Sequence, residues 1–292
     1  MNGFLNILKP PGMSSAAVVA CVKRLTGEKV GHAGTLDPEA SGVLPVMVGR
    51  AGRLLNYLPD ERKIYVAEVA FSGATDTQDA QGKLTEPGRG CPDEAEFLSV
   101  LPEFTGNIEQ IPPAYSALKV NGVPMYRAAR KGEILSKPAR SVNIYSIDYQ
   151  GKISDDSFLI RVECSRGTYI RTLCHDLGQR LGKPAHMRFL LRTLSAGFGI
   201  DDSVTLEELQ DRDAVLRHLI PMENAVSHLP VYTVGPESEK QARNGVALET
   251  DLFREGECVR VKVRDHFLGI AQKTGDVLKF MAVCLSHEEP ID

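Results

Sequence analysis

The stretch GHAGTLDPEASGVLP, residues 31–45, holds three glycines, two prolines, one histidine and two acidic residues. Pro38 disfavours helical geometry at Asp37 and fixes the backbone that follows it. Gly31, Gly34 and Gly42 permit tight turns and close approach of a ligand to the backbone. A carboxylate preset in this way can serve as nucleophile, general base or metal ligand. It can equally cap the turn before the next element, as most Asp-Pro pairs do. A metal would need two or three neighbouring ligands, and the loop offers only Glu39 and His32 beside Asp37. A paired-carboxylate hydrolase would need a second acid in a comparable setting, and Glu39 is too near in sequence to face Asp37 across a substrate. A lone nucleophile fits better, provided a cation keeps it ionised.

Outward from this loop, SSAAVVACVKRLT (14–26) reads as a helix. Ser14 or Ser15 caps it, Val18, Cys21, Val22 and Leu25 form its apolar face, and Gly27 stops it. KIYVAEVAF (63–71) and FLIRVECS (158–165) alternate as strands, and FSGATDTQDAQG (71–82) reads as an irregular, turn-rich connection. TYIRTLCHDLGQRLG (168–182) repeats Ile170, Leu173, Leu177 and Leu181 at helical spacing, so Arg171 lies near a helix N-terminus. Residues 201–225 read as an acidic helical connector. VYTV, ECVRVKV, FLGIAQ and VLKFMAV then suggest a separate small β-barrel at 231–285.

Composition sets the class. The chain has 292 residues, 42% hydrophobic and 25% charged, ordinary for a globular protein large enough for one main and one small domain. No apolar run is long enough to span a membrane, and the N-terminus lacks the pattern of a secretory signal. Six scattered cysteines without a C-x-x-C pair suggest free thiols in a reducing cytoplasm, and seven histidines without paired spacing argue against a metal site. The net charge is −4, but residues 111–200 carry 14 Lys and Arg against 6 Asp and Glu. Such a block suits phosphate contacts, or it is simply a solvated basic face.

Individual residues keep two readings each. Arg171 can fork onto Asp37 or contact phosphate. Tyr65 can stack on a displaced base or work through its hydroxyl, whereas a strand tyrosine is more often core. His32 can touch nucleic acid or bond a neighbouring carbonyl, and Lys9 in KPPG can reach phosphate or cover the loop.

KPPGMSS, GHAGTLDPEASGVLP, TDTQDAQG, IPPAYSALKVNG, CSRGTYIRTLCHDLG and LLRTLSAGF follow one another in this order. Together they resemble the TruB family of tRNA pseudouridine synthases, most closely its bacterial stand-alone members, over about residues 3–200. The resemblance implies isomerisation of uridine 55 in the tRNA T loop to pseudouridine, with no cofactor, metal or energy source. It implies catalytic roles for Asp37 as nucleophile, Arg171 as its ion-pair partner and Tyr65 beneath the target base. It further implies substrate contacts from His32 and from Leu191, with Leu190 as the alternative, and a substrate-binding but more structural part for the KPxG lysine, Lys9. The target base must leave the RNA stack before reaction, which a rigid, preset loop accommodates.

The expected architecture is α+β, with a central mixed, largely antiparallel sheet flanked by helices in a catalytic domain at 1–225. A PUA-like RNA-binding β-barrel follows at 231–285, with 8 Lys and Arg against 11 Asp and Glu from 231 to the end. The expected protein is a cytoplasmic monomer that binds tRNA through its T arm and has neither DNA nor membrane as partner. Two alternatives accompany it: a non-catalytic RNA-binding or RNA-folding protein using the same cleft, and a guide-RNA-dependent relative, disfavoured because the chain has no long basic tail.

Overall fold

The computed structural model describes residues 1–59, 62–113 and 138–284, with the backbone of 119–120 and 123–124. Part of the basic block, most of the IPPAYSALKVNG motif and residue 285 therefore lie outside the described residues.

A nine-stranded sheet organises the larger part of the chain. Its spine is β1 (Gly3–Lys9), β3 (Ser41–Val48), β12 (His186–Ser195), β4 (Lys63–Ala70), β11 (Ser157–Cys164), β10 (Arg140–Ser154) and β7 (Gly106–Gln110), in that spatial order. Short β2 (Val30–His32) joins β3, and β13 (Phe198–Gly199) joins β12. Every described pairing in it is antiparallel except β3 with β12, so the mixed, largely antiparallel sheet is as expected.

The parallel β3–β12 pair is what places residues 31–45. Helix α1 (Ser15–Thr26) is capped by the Ser14 side chain on the Ala17 N–H and ends at Gly27 in the left-handed region. The chain then enters β2, crosses the Asp37 loop and returns through β3. β4 and β11 alternate as read: Tyr65, Ala67 and Val69 face the same core as Phe158, Ile160, Val162 and Cys164. That core is closed by α2 (Glu94–Val100) and α3 (Ile170–Arg180), through Phe97, Leu173, Cys174 and Leu177. Leu36, Ala40 and Leu190 belong to it too, so the loop rests on packed apolar side chains.

The connector differs from its reading. Among the described residues only 212–218 and 222–225 are helical. The remainder pairs along the open edge of β1: Phe4 and Ile220 exchange backbone hydrogen bonds at 2.8–2.9 Å, and Val204 bonds to Asn6 and Leu8. Covering an edge strand satisfies its donors and acceptors, a task a helix cannot perform in this way.

The C-terminal strands form a five-stranded sheet ordered β14 (Val231–Val234), β16 (Cys258–Val263), β17 (His266–Thr274), β18 (Val277–Val283) and β15 (Leu248–Glu249). It is a curled half-barrel of PUA-like form rather than a closed barrel. Its apolar back meets the larger sheet directly: Ile270 and Ala282 share one cluster with Phe4, Val43, Met47 and Leu54. Arg53 donates to the Val283 carbonyl beside them.

Candidate active site

Asp37 hangs between β2 and β3, and its loop is held from beneath at three points. Ser15, at the start of α1, uses one hydroxyl twice: it accepts from the Leu36 N–H at 2.9 Å and donates to the Leu36 carbonyl at 3.0 Å. Lys9 is wholly buried, and its ammonium donates to the carbonyls of Pro10 and Pro38, both at 2.8 Å, and of Met13. Arg192, also wholly buried, donates to the carbonyls of Gly34, Thr35 and Val43 at 2.8–3.4 Å. Gly42 is where β3 passes closest to β12: a Cβ there would lie 2.2 Å from the Arg192 carbonyl oxygen.

Arg171 meets Asp37 from the first turn of α3. Its Nε lies 2.9 Å from Oδ2 and its Nη2 donates to Oδ1 at 3.2 Å, a two-pronged fork. Arg171 is 5% exposed and Asp37 39%. The positive pole of the helix N-terminus disfavours an arginine there by itself and favours the carboxylate opposite it. No side chain of Tyr169 caps that helix. Instead Gln110 from β7 clasps the Tyr169 peptide, accepting from its N–H at 2.9 Å and donating to its carbonyl at 3.2 Å.

The TDTQDAQG turn completes the setting. Arg171 also donates to the Thr77 carbonyl at 3.1 Å, and its Nη1 lies 3.6 Å from Asp79. Gln78 is held at φ +62°, with its side-chain oxygen accepting from Thr172 at 2.9 Å. Burial pushes the Asp37 carboxyl above its ordinary value; the Arg171 charge opposes this and the Asp79 charge adds to it. The fork therefore counters a desolvation cost, as expected where a carboxylate must remain ionised in a narrow cleft.

Asp37, Arg171, Tyr65 and Leu190 line one cleft of about 180 Å³, together with Lys63 and the 167–170 turn. A second hollow of about 400 Å³ adjoins it, shares Asp37, Arg171 and Leu190, and extends past Asp79 and Arg188. Thus Asp37, Tyr65 and Arg171, far apart in sequence, come together.

Leu191, Lys9 and His32 do not line either hollow. Leu190 lines both hollows, whereas Leu191 pairs with Ser41 of β3 and Val66 of β4 and lines neither. Neighbours on a strand face opposite ways, so only one of the two leucines can enter the cleft. Lys9 is not placed to bind substrate, because its buried ammonium is committed to three carbonyls. His32 turns back on its own loop, its Nδ1 accepting from the Gly34 N–H at 3.3 Å, and is not among the residues lining the cleft. Burial, and next to it Arg192, holds the His32 imidazole below its usual value.

Asp79, Gln110, Ser15 and Arg192 were not singled out in sequence. Asp79 lies in TDTQDAQG, Ser15 in KPPGMSS and Arg192 in LLRTLSAGF, so three of them had a motif signal, whereas Gln110 acts through a partner remote in the chain.

Residues 23–170 match the model of the TruB family pseudouridylate synthase N-terminal domain, and 171–227 that of the tRNA pseudouridylate synthase B C-terminal domain. The chain is 44% identical over 264 residues to tRNA pseudouridine synthase B of Geobacillus thermodenitrificans, covering 87% of each. It is 42% identical over 260 residues to that of Bacillus subtilis, covering 86% of this chain and 84% of the relative. Among solved structures it resembles a chain of an H/ACA RNP bound to a substrate RNA containing 2′-deoxyuridine. The TM-score there is 0.74 at 27% identity, covering 98% of this chain and 86% of that one. A chain of a Cbf5-Nop10-Gar1 complex matches at a TM-score of 0.72 and 29% identity, covering 96% and 84%.

Proposed function

Since this chain belongs to the TruB family of pseudouridylate synthases, we propose that its Asp37 cleft converts uridine 55 of the tRNA T loop to pseudouridine. Its relatives are tRNA pseudouridine synthases over most of their length, and formation of tRNA pseudouridine is the activity of this enzyme. What carries the reading of the site is the Asp37–Arg171 fork at the floor of a cleft that also holds Tyr65 and Leu190.

The reaction breaks N1–C1′, turns the detached uracil and joins C5 to C1′. Asp37 is the nucleophile, and the same carboxylate serves whether it attacks C1′, attacks C6 or drives elimination to a glycal. Arg171 keeps it ionised and aimed. Leu190 and the ring of Tyr65 receive the flipped base in place of its stacked neighbours. Tyr65, as phenolate, accepts the C5 proton: C5–H breaks and O–H forms, the freed pair restores the C5–C6 double bond, and the N1–C6 π pair returns to N1, which takes up a proton from solvent. The proton passes to solvent as product leaves.

The T arm is the partner this cleft suits, the enzyme working as a cytoplasmic monomer. Residues 1–225 form the catalytic unit and 231–285 the PUA-like RNA-binding unit. Identity above 40% to enzymes named tRNA pseudouridine synthase B, against 27–29% to chains of the H/ACA and Cbf5 complexes, favours the tRNA enzyme over the guide-RNA-dependent alternative. The test maps pseudouridine in an unmodified tRNA transcript, and in its isolated T-arm hairpin, after incubation with the enzyme. Modification at uridine 55 alone, in both RNAs, is expected; modification elsewhere, or none in the hairpin, would refute the assignment.

A further inference from the structure

Arg192 is an unusual core residue. It is the largest fully buried side chain, and its guanidinium donates to backbone carbonyls rather than to a carboxylate among the described residues. A guanidinium removed from water at such cost is retained where its charge or its geometry is used. Its position shows which groups it governs. Arg192 stands directly across from Tyr65 in the β4–β12 pair and from Gly42 in the β3–β12 pair. Opposed residues on neighbouring strands bring their side chains together on one face. Three of its N–H groups hold the carbonyls of Gly34, Thr35 and Val43, on either side of Asp37. Facing Tyr65 in this way, the Arg192 charge acts on the Tyr65 hydroxyl in favour of its ionised form.

We infer that Arg192 is a positioning residue for the reaction, holding the Asp37 loop through its carbonyls while standing opposite Tyr65, and supplying the positive charge against which the Tyr65 hydroxyl exchanges its proton. The inference rests on the reading of Tyr65 as the group that takes the C5 proton. Burial raises the Tyr65 phenol above its ordinary value, and Arg192 is the chief influence acting the other way. Cys164 of β11 and Asp37 push it up, and Lys63 and Arg171 line the same cleft. Arg192 is thus the cation that works directly against the burial of this phenol. A purely structural arginine would hold the loop carbonyls equally well and leave the acidity of Tyr65 irrelevant.

The test measures single-turnover tritium release from a T-arm RNA labelled at uridine C5, from neutral to alkaline pH. The proteins compared are wild type, Arg192→Gln, Arg192→Lys and Tyr65→Phe, each checked for folding by circular dichroism. Removing a nearby charge partner moves a pKa by about one unit or more, so Arg192→Gln should shift the ascending limb of the profile upward by ~1 pH unit and slow the neutral-pH rate about tenfold. Arg192→Lys keeps the charge and should leave the limb at its wild-type position, although the rate falls. A parallel loss at every pH in Arg192→Gln, with the limb unmoved, would overturn the inference. If Arg192→Gln does not fold, Arg192→Lys decides: a limb displaced by a full unit despite the retained cation refutes the role of charge. Full activity in Tyr65→Phe would instead overturn the reading of Tyr65 on which the inference depends.

Discussion

Replacing Gly42 by alanine tests how the Asp37 loop is held against the sheet. Gly42 has φ +110°, and an added Cβ would lie 2.2, 2.7 and 2.9 Å from the O, N and C atoms of Arg192. These are backbone atoms of the neighbouring strand, so no side-chain rotation relieves the contact. Gly12, in the KPPG turn, is a matched control: its φ is +78° and nothing lies within 4 Å of its added Cβ. Both substitutions carry the left-handed backbone cost, about 1–2 kcal/mol. Both also reduce the entropy of the unfolded chain, by about 0.4–1 kcal/mol in the opposite direction. Those contributions largely cancel between the two variants. What remains at Gly42 is forced overpacking against the backbone, about 1–3 kcal/mol or somewhat more. Denaturant unfolding should therefore show Gly42→Ala less stable than Gly12→Ala by ~2 kcal/mol or more. Midpoints for the two variants within ~0.5 kcal/mol of each other would refute the close β3–β12 approach and with it the placement of Asp37.

Arg171→Lys keeps the charge but loses one arm of the fork; a charge-assisted hydrogen bond is worth about 1.5–3 kcal/mol, so single-turnover rates should fall about 10- to 100-fold with little change in RNA affinity. Leu190→Ala should reduce kcat/KM about tenfold or more, per folded enzyme, while Leu191→Ala should leave it within about twofold, since only Leu190 reaches the cleft. Equal losses would restore Leu191 as a pocket residue. Arg188 holds the Asp156 carboxyl at about 2, below its unfolded value of 3.8. A depressed carboxyl stabilises the fold above its unfolded pKa and loses that contribution as pH falls through the folded one. The full shift corresponds to ~2.4 kcal/mol, reduced to about 1 kcal/mol because Asp156 is 39% exposed. Asp156→Asn should show that deficit at pH 7, and the gap should close between about pH 4 and pH 2 in urea unfolding.

Elements whose signals are local were legible in the sequence. The Ser14 cap and Gly27 stop bound α1 as read, and the alternation of β4 and β11 survives in their burial. β3 was hidden by Pro45, which argues against a central strand; its carbonyl instead accepts from Ala33 of the returning loop. β12 was hidden by Arg188 and Arg192, charges that look out of place in a strand whose partners lie far away in sequence. Its phase could not be read either, because irregularities at 187–189 and 192–194 depend on the pairing with β4; the choice between Leu191 and Leu190 came from the resemblance alone. The pairing of Asp37 with Arg171 rested on resemblance, since 134 residues separate them. Gln110 has no sequence signature, because its role consists of hydrogen bonds to the backbone of another segment. The open form of the C-terminal sheet followed from its packing against Phe4 and Met47, a contact between distant segments that turn residues do not encode.

The most direct test of the account compares wild type with Asp37→Asn on a T-arm RNA carrying tritium at uridine C5, following tritium release and RNA binding in the same samples. The account predicts release by the wild type and none by the variant, with binding retained, because the carboxamide keeps the shape of the cleft and loses only the nucleophile. Release by Asp37→Asn at the wild-type rate would contradict it.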